Sequence, residues 1–80
     1  MDIRMAPKFA IHNKEKLQKV SECVCYYCYK VFSPSDIIEW IDKDLDTAVC
    51  PHCAVDAVLP INEEGEKDIV FLTKVHEYWF

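Results

Sequence analysis

Two short cysteine pairs constrain this chain more than anything else in it. They are Cys25-Tyr26-Tyr27-Cys28 and Cys50-Pro51-His52-Cys53, with 21 residues between Cys28 and Cys50. Two residues between cysteines let one tight turn present both sulfurs to the same ion, while amides of the turn point at those sulfurs. Two such turns complete a tetrahedron, and the segment between them becomes a loop whose ends meet at the metal. Four thiolates leave no open position for water or substrate. The pattern therefore predicts one structural zinc ion on Cys25, Cys28, Cys50 and Cys53, and no catalytic metal.

The length of the chain explains why it needs an ion. Eighty residues make one domain, and a chain that short buries only a modest core. Structural zinc supplies roughly 10–16 kcal/mol of apparent binding energy in small domains, and this becomes folding energy. The opening residues, Met1-Asp2-Ile3-Arg4-Met5-Ala6-Pro7, lack the apolar core of an export signal, and no run approaches membrane-spanning length. Five cysteines in such a chain read as metal ligands in a reducing cytoplasm rather than as disulfides. The expectation is a cytoplasmic protein.

The net charge of −5 hides an asymmetry. Residues 1–30 carry six basic groups against three acids, a balance of +3. Residues 31–80 carry three basic groups against eleven acids, a balance of −8, and a zinc tetrathiolate would add −2. Binding to nucleic acid draws on a basic surface. Only the N-terminal segment could offer one, and its lysines are expected mainly to solvate a short helix.

In chain order, residues 1–12 read as an irregular lead. Asn13 is a good N-cap for a short helix over 13–20, which needs Leu17 and Val20 docked on a core. Glu22-Cys23-Val24-Cys25 and Tyr29-Lys30-Val31-Phe32 read as two strands of a hairpin with the metal at its tip. Unpaired Cys23 is expected to face away from the metal turn as a small core residue. Ser33-Pro34-Ser35-Asp36 signals a turn, with Ser35 capping one helical turn. Residues 38–42 and 47–49 form a second hairpin, although periodicity alone also permits a helix over 37–41. Pro51 suits the first position of a helix, Val55, Val58 and Leu59 share one helical face, and Pro60 ends it. At residues 69–79 the stripe Ile69, Leu72, His76 and Trp79 predicts a C-terminal helix, preceded by acids at 63, 64, 66 and 68 that suit its dipole.

These elements predict a small α+β domain, stabilised by zinc and treble-clef-like. It has two β-hairpins, a short helix after the second cysteine pair and a C-terminal helix. The metal-binding core would span 25–59 and the C-terminal helix 66–79. A zinc ribbon would instead place the second pair on another hairpin.

Cys25-x-x-Cys28, Glu39-Trp40-Ile41-Asp42, Thr47-Ala48-Val49-Cys50-Pro51-His52-Cys53, Asp56-Ala57-Val58 and Tyr78-Trp79-Phe80 carry a resemblance. Over residues 25–80 the chain resembles a family of small bacterial cytoplasmic zinc-binding proteins of unassigned function. The resemblance implies a metal site on the four paired cysteines and supplies no activity. Ala54 departs from it, since glycine usually follows the last cysteine of such motifs.

Three classes of function compete. The first is a structural-zinc protein-binding module, such as a small regulator or inhibitor of a larger bacterial or phage machine. Its contact would be an aromatic patch, with Tyr26, Tyr27 and Trp79 the first candidates. The second is a thiol–disulfide oxidoreductase using Cys50-Pro51-His52-Cys53, but the chain lacks a leading βαβ pattern and its second pair has a better use. His12, His52 and His76 show no nuclease-like arrangement either, so no catalytic residue is assigned. The third is a nucleic-acid-binding zinc finger using the basic N-terminal segment, which the charge balance discourages. His52 reads as a polar turn residue and His76 as a core histidine.

Overall fold

The structure is a computed structural model that describes residues 3–61 and 69–80. A 3-10 turn over Ile3–Met5 runs into helix α1 (Ala6–Ala10), so the segment expected to be irregular is largely helical. Pro7 sits in the first turn of α1, where its missing N–H costs nothing. Ala6 and Ala10, one turn apart, are fully buried and let the helix lie close on the strand Val58–Ile61.

Helix α2 (Lys14–Leu17) is one turn long and buries Leu17. Asn13 occupies its N-cap position but makes no capping bond with its side chain. That amide is spent elsewhere. Its Oδ1 accepts from Ala48 N–H at 3.2 Å, and its Nδ2 donates to Val58 O at 2.9 Å and Phe9 O at 3.0 Å.

Two antiparallel sheets carry the cysteine pairs. In the first, β1 (Glu22–Cys25) lies between β2 (Val31–Phe32) and β5 (Val58–Ile61). Cys23 is opposite Phe32 on one side and Pro60 on the other. The second sheet is the hairpin of β3 (Trp40–Ile41) and β4 (Thr47–Ala48), with Trp40 opposite Ala48. Both expected hairpins form, and the helical alternative over 37–41 does not. The single turn Pro34–Asp36 is capped by Ser33 rather than Ser35, with the Asp36 carboxylate returning to the Ser33 amide.

The largest correction follows the second cysteine pair. No helix begins at Pro51; the chain leaves Cys53 through Ala54 at φ 63° and becomes strand β5. A left-handed residue there turns the backbone out of any right-handed helix. The short apolar run Val58-Leu59-Pro60-Ile61 then fits a buried strand as well as it fits a helical face. Pro60 is tolerated because it stands at a pair that exchanges no hydrogen bonds with β1, leaving its missing N–H on the open edge. The helix that would define a treble clef is thus replaced by a strand, and the second pair lies between two sheets rather than on a hairpin.

Helix α3 (Ile69–Trp79) forms as expected over its described residues, burying Leu72 and Val75. The start expected at 66–68 lies outside the described residues. Leu17, Val24, Val58, Leu59, Leu72 and Val75 form the apolar centre.

Candidate metal centre

Each cysteine pair closes the same small backbone ring. In the first, Cys25 N–H donates to Lys30 O at 3.1 Å and Tyr29 N–H donates to Cys25 O at 2.8 Å. In the second, Cys50 N–H donates to Val55 O at 3.0 Å and Ala54 N–H donates to Cys50 O at 2.9 Å. The residue after each closing cysteine is left-handed, Tyr29 at φ 67° and Ala54 at φ 63°. Neither is glycine, so each turn holds a side chain in a conformation that costs roughly 1–2 kcal/mol. Within each ring the amide two residues on points at the leading sulfur: Tyr27 N–H to Cys25 Sγ and His52 N–H to Cys50 Sγ, both 3.4 Å.

The two knuckles face each other. Cys25 Sγ lies 3.6 Å from Cys53 Sγ, and Cys28 Sγ lies 3.7 Å from Cys50 Sγ. All four sulfurs are within 3.6–3.9 Å. A tetrahedral ion with bonds of about 2.3 Å requires sulfurs about 3.8 Å apart. The donor set, its spacing and its softness fit zinc, and the structure brings together all four of the expected ligands.

The sulfurs are not equivalent. Cys25 and Cys50 are buried, whereas Cys28 and Cys53 are half-buried. Burial pushes the Cys25 thiol well up, against the amides of Cys28 and Tyr27 that favour its thiolate. Burial also acts to raise Cys50, but the amides of His52 and Cys53 with the Cys28 and Cys53 thiols outweigh it, and the net shift is downward. Cys53 is raised, chiefly by burial, with the Val55 amide opposing. A bound dication would override these preferences, because it holds its sulfurs as thiolates.

Cys23 stays outside the centre. Its residue number places it on the same face of β1 as Cys25, so the expectation that it faces away is wrong. It remains a core residue: it is fully buried, its Sγ donates to Phe32 O at 3.4 Å, and burial pushes its thiol up to about 12. At neutral pH it is protonated and offers no thiolate.

Aromatic rings cover the first knuckle. His76 and Phe80, at the end of α3, lie over Tyr26, Tyr27 and Tyr29, with ring centroids 4.9–5.7 Å apart. His76 Nδ1 is 3.2 Å from Tyr26 O. Tyr26, proposed from sequence as an exposed contact, is only 4% exposed and belongs to the core, whereas Tyr27 and Trp79 are each 42% exposed. On the second knuckle, the ring of His52 meets only Phe32 among the described residues, at 5.5 Å.

A second polar cluster had no sequence signal, since His12 lies 30 and 34 residues before its two aspartates, Asp42 and Asp46. His12 Nδ1 is 2.8 Å from Asp46 Oδ1, and Asp42 completes a group whose ligand atoms all lie within 4.8 Å. The His12 amide donates to the Thr47 hydroxyl, which in turn donates to Asp42, and Lys14 N–H donates to Asp46 O. These bonds latch the start of α2 onto the β3–β4 hairpin.

No family model, no curated protein and no solved structure matches the chain. The class that fold and site define is a small α+β domain with a clustered four-cysteine centre. Among the described residues no helix is long and apolar enough to cross a membrane.

Proposed function

We propose that the chain is a structural-zinc domain that acts as a protein-binding module. The observation that carries the first half is the set of four sulfurs at 3.6–3.9 Å, presented by two knuckles of matching backbone geometry. A closed tetrathiolate fixes β1, β2, β4 and β5 to one point and leaves no coordination position for chemistry. For the same reason the oxidoreductase reading is disfavoured, because Cys50 and Cys53 share their site with Cys25 and Cys28. Nucleic-acid binding through the basic segment is disfavoured too. Lys14 Nζ already lies 5.2 Å from the centroid of the Trp40 ring, and Lys16 Nζ 4.6 Å from that of Phe9.

Exposed rings support the second half. Tyr27, Tyr78, Trp79 and Phe80 are all exposed around the end of α3, and aromatic residues carry a disproportionate share of interface energy. Metal analysis of the purified chain tests the centre: about one zinc per chain is expected, and a metal-free chain that keeps its fold under strong chelation would sink it. Affinity capture with wild type and Tyr27→Ala tests the module. A protein held by the first and released by the second is expected, while sub-micromolar binding to DNA or RNA at physiological salt would defeat this class of partner.

A further inference from the structure

We infer that Cys28 and Cys53 form the oxidation site of this chain, closing a disulfide across the two knuckles. The inference rests on the metal centre proposed above and concerns what its two outer sulfurs do. Cys25 and Cys50 are 0% and 1% exposed, and each accepts a hydrogen bond from the amide two residues on. Both features lower reactivity: burial denies access, and a donated N–H draws electron density from the sulfur. Cys28 and Cys53 are half-buried; the Val55 amide also bonds the Cys53 sulfur, so access is what sets the outer pair apart. An incoming electrophile meets the outer pair first.

Hydrogen peroxide serves as the oxidant class. The Cys28 thiolate attacks one peroxide oxygen, the S–O bond forms, the O–O bond breaks, and hydroxide leaves as water after taking a proton. The resulting sulfenic acid is attacked by the Cys53 thiolate. The S–S bond forms, the S–O bond breaks, and a second hydroxide leaves as water. The sulfur pair loses two electrons and the peroxide gains them. The sulfurs start 3.6–3.9 Å apart, so reaching about 2.05 Å needs side-chain movement of less than about 2 Å. Two of four ligands are consumed, which releases the ion, yet the new bond still ties one knuckle to the other. A disulfide within either knuckle would leave them free to part. Because His76 and Phe80 pack on Tyr27, next to Cys28, the reaction also reaches the aromatic face at the end of α3.

The test is a time course of the full chain with one equivalent of peroxide. Disulfides are mapped by peptide mass spectrometry, and metal release is followed with a chromophoric chelator. A parallel competition with iodoacetamide on the unoxidised wild type gives the order of thiol reactivity without relying on any variant that fails to fold. The expected result is a Cys28–Cys53 disulfide, metal release in step with it, and alkylation of Cys28 and Cys53 at least about tenfold faster than of Cys25 and Cys50. Disulfides confined to Cys25–Cys28 or Cys50–Cys53, or inner thiols that react first, would overturn the inference. Metal content measured beforehand separates the two claims. A chain without metal refutes the centre, while the disulfide map still decides the oxidation site.

Discussion

The two knuckles share a backbone and differ in what closes their base. The first is the tip of a hairpin, since β1 and β2 are paired and their own ladder holds Cys25 and Cys28 in place. The second lies between β4 and β5, which belong to different sheets and do not pair with each other. The amide of Asn13 stands where a ladder would be, taking Ala48 N–H on one side and Val58 O on the other. The first knuckle is also roofed by rings of α3, whereas among the described residues the only ring contact at the second is that of Phe32 with His52. The Cys-x-x-Cys turn is therefore a local solution, while the brace beneath it is tertiary and differs between the two knuckles.

Loss of an inner ligand should have the largest effect. Structural zinc contributes roughly 10–16 kcal/mol, as much as the whole 5–15 kcal/mol by which most domains are stable. Cys25→Ser and Cys50→Ser should each abolish cooperative thermal unfolding seen by circular dichroism, as should chelation of the wild type. The two substitutions should be equally severe, because the ion does not distinguish which knuckle fails. A folded Cys50→Ser beside an unfolded Cys25→Ser would show that the knuckles are not halves of one site.

Asn13→Ala comes next and should strike one knuckle only. It strands Ala48 N–H and Val58 O in a buried setting and Phe9 O in a half-buried one. Each buried unsatisfied group costs about 1–3 kcal/mol, so the two buried groups together cost about 2 kcal/mol or more. Asn13→Asp should be no better, since it keeps an acceptor for Ala48 but faces two carbonyls with a carboxylate. In native-state hydrogen exchange the Ala48 and Cys50 amides should speed up while Cys25 does not. Uniform acceleration would mean that Asn13 supports the whole domain and not the second knuckle.

The site was more legible in the sequence than the fold around it. Cysteine spacing is a local signal with one dominant chemical use, and all four predicted ligands meet. The hairpin signals around Glu22–Phe32 and Trp40–Ala48 are local too. What failed depended on partners far away in sequence. Asn13 looks like an N-cap because its neighbours begin a helix, and nothing local reveals that Ala48 and Val58 will claim its amide. Val55, Val58 and Leu59 have helical spacing, and only the left-handed Ala54 and the waiting edge of β1 make the run a strand. Ala6 and Ala10 carry little local signal, yet their small size is what lets α1 sit on β5.

A smaller effect separates the two left-handed residues. Ala54 is exposed at φ 63° and Tyr29 half-buried at φ 67°. Ala54→Gly removes roughly 1–2 kcal/mol of left-handed strain and gives back about 0.4–1 kcal/mol of chain entropy. It should stabilise the metal-loaded protein by about 0.5–1 kcal/mol in urea unfolding. Tyr29→Gly relieves the same strain but removes a ring 5.4 Å from His76, where such pairs are worth about 0.5–1.5 kcal/mol beyond area burial. Its net effect should be destabilising. Equal gains at both positions would mean that the roof of α3 rings adds nothing to the first knuckle.

The smallest effect concerns the latch on the β3–β4 hairpin that precedes the second knuckle. His12 is held at φ 48° with Nδ1 2.8 Å from Asp46 Oδ1. The hydrogen bond and the charge of Asp46 raise the imidazole above its usual value of 6.5, desolvation opposes them, and Asp42 and Asp44 add smaller upward pushes. The folded protein therefore binds this proton more tightly than the unfolded chain does. The resulting stabilisation is complete below pH 6.5 and is lost as pH rises through the folded value. Because the pair is solvent-exposed, the change should be slight and should shrink with added salt. An NMR titration of the His12 ring should give a midpoint above 6.5 that falls toward 6.5 in Asp46→Asn. The first-knuckle amides, Cys25 and Tyr29, should show no step at that pH, whereas Lys14, whose amide bonds Asp46 O, should. A wild-type midpoint at or below 6.5 would mean that the carboxylate does not hold the ring, and the latch would then rest on backbone bonds alone.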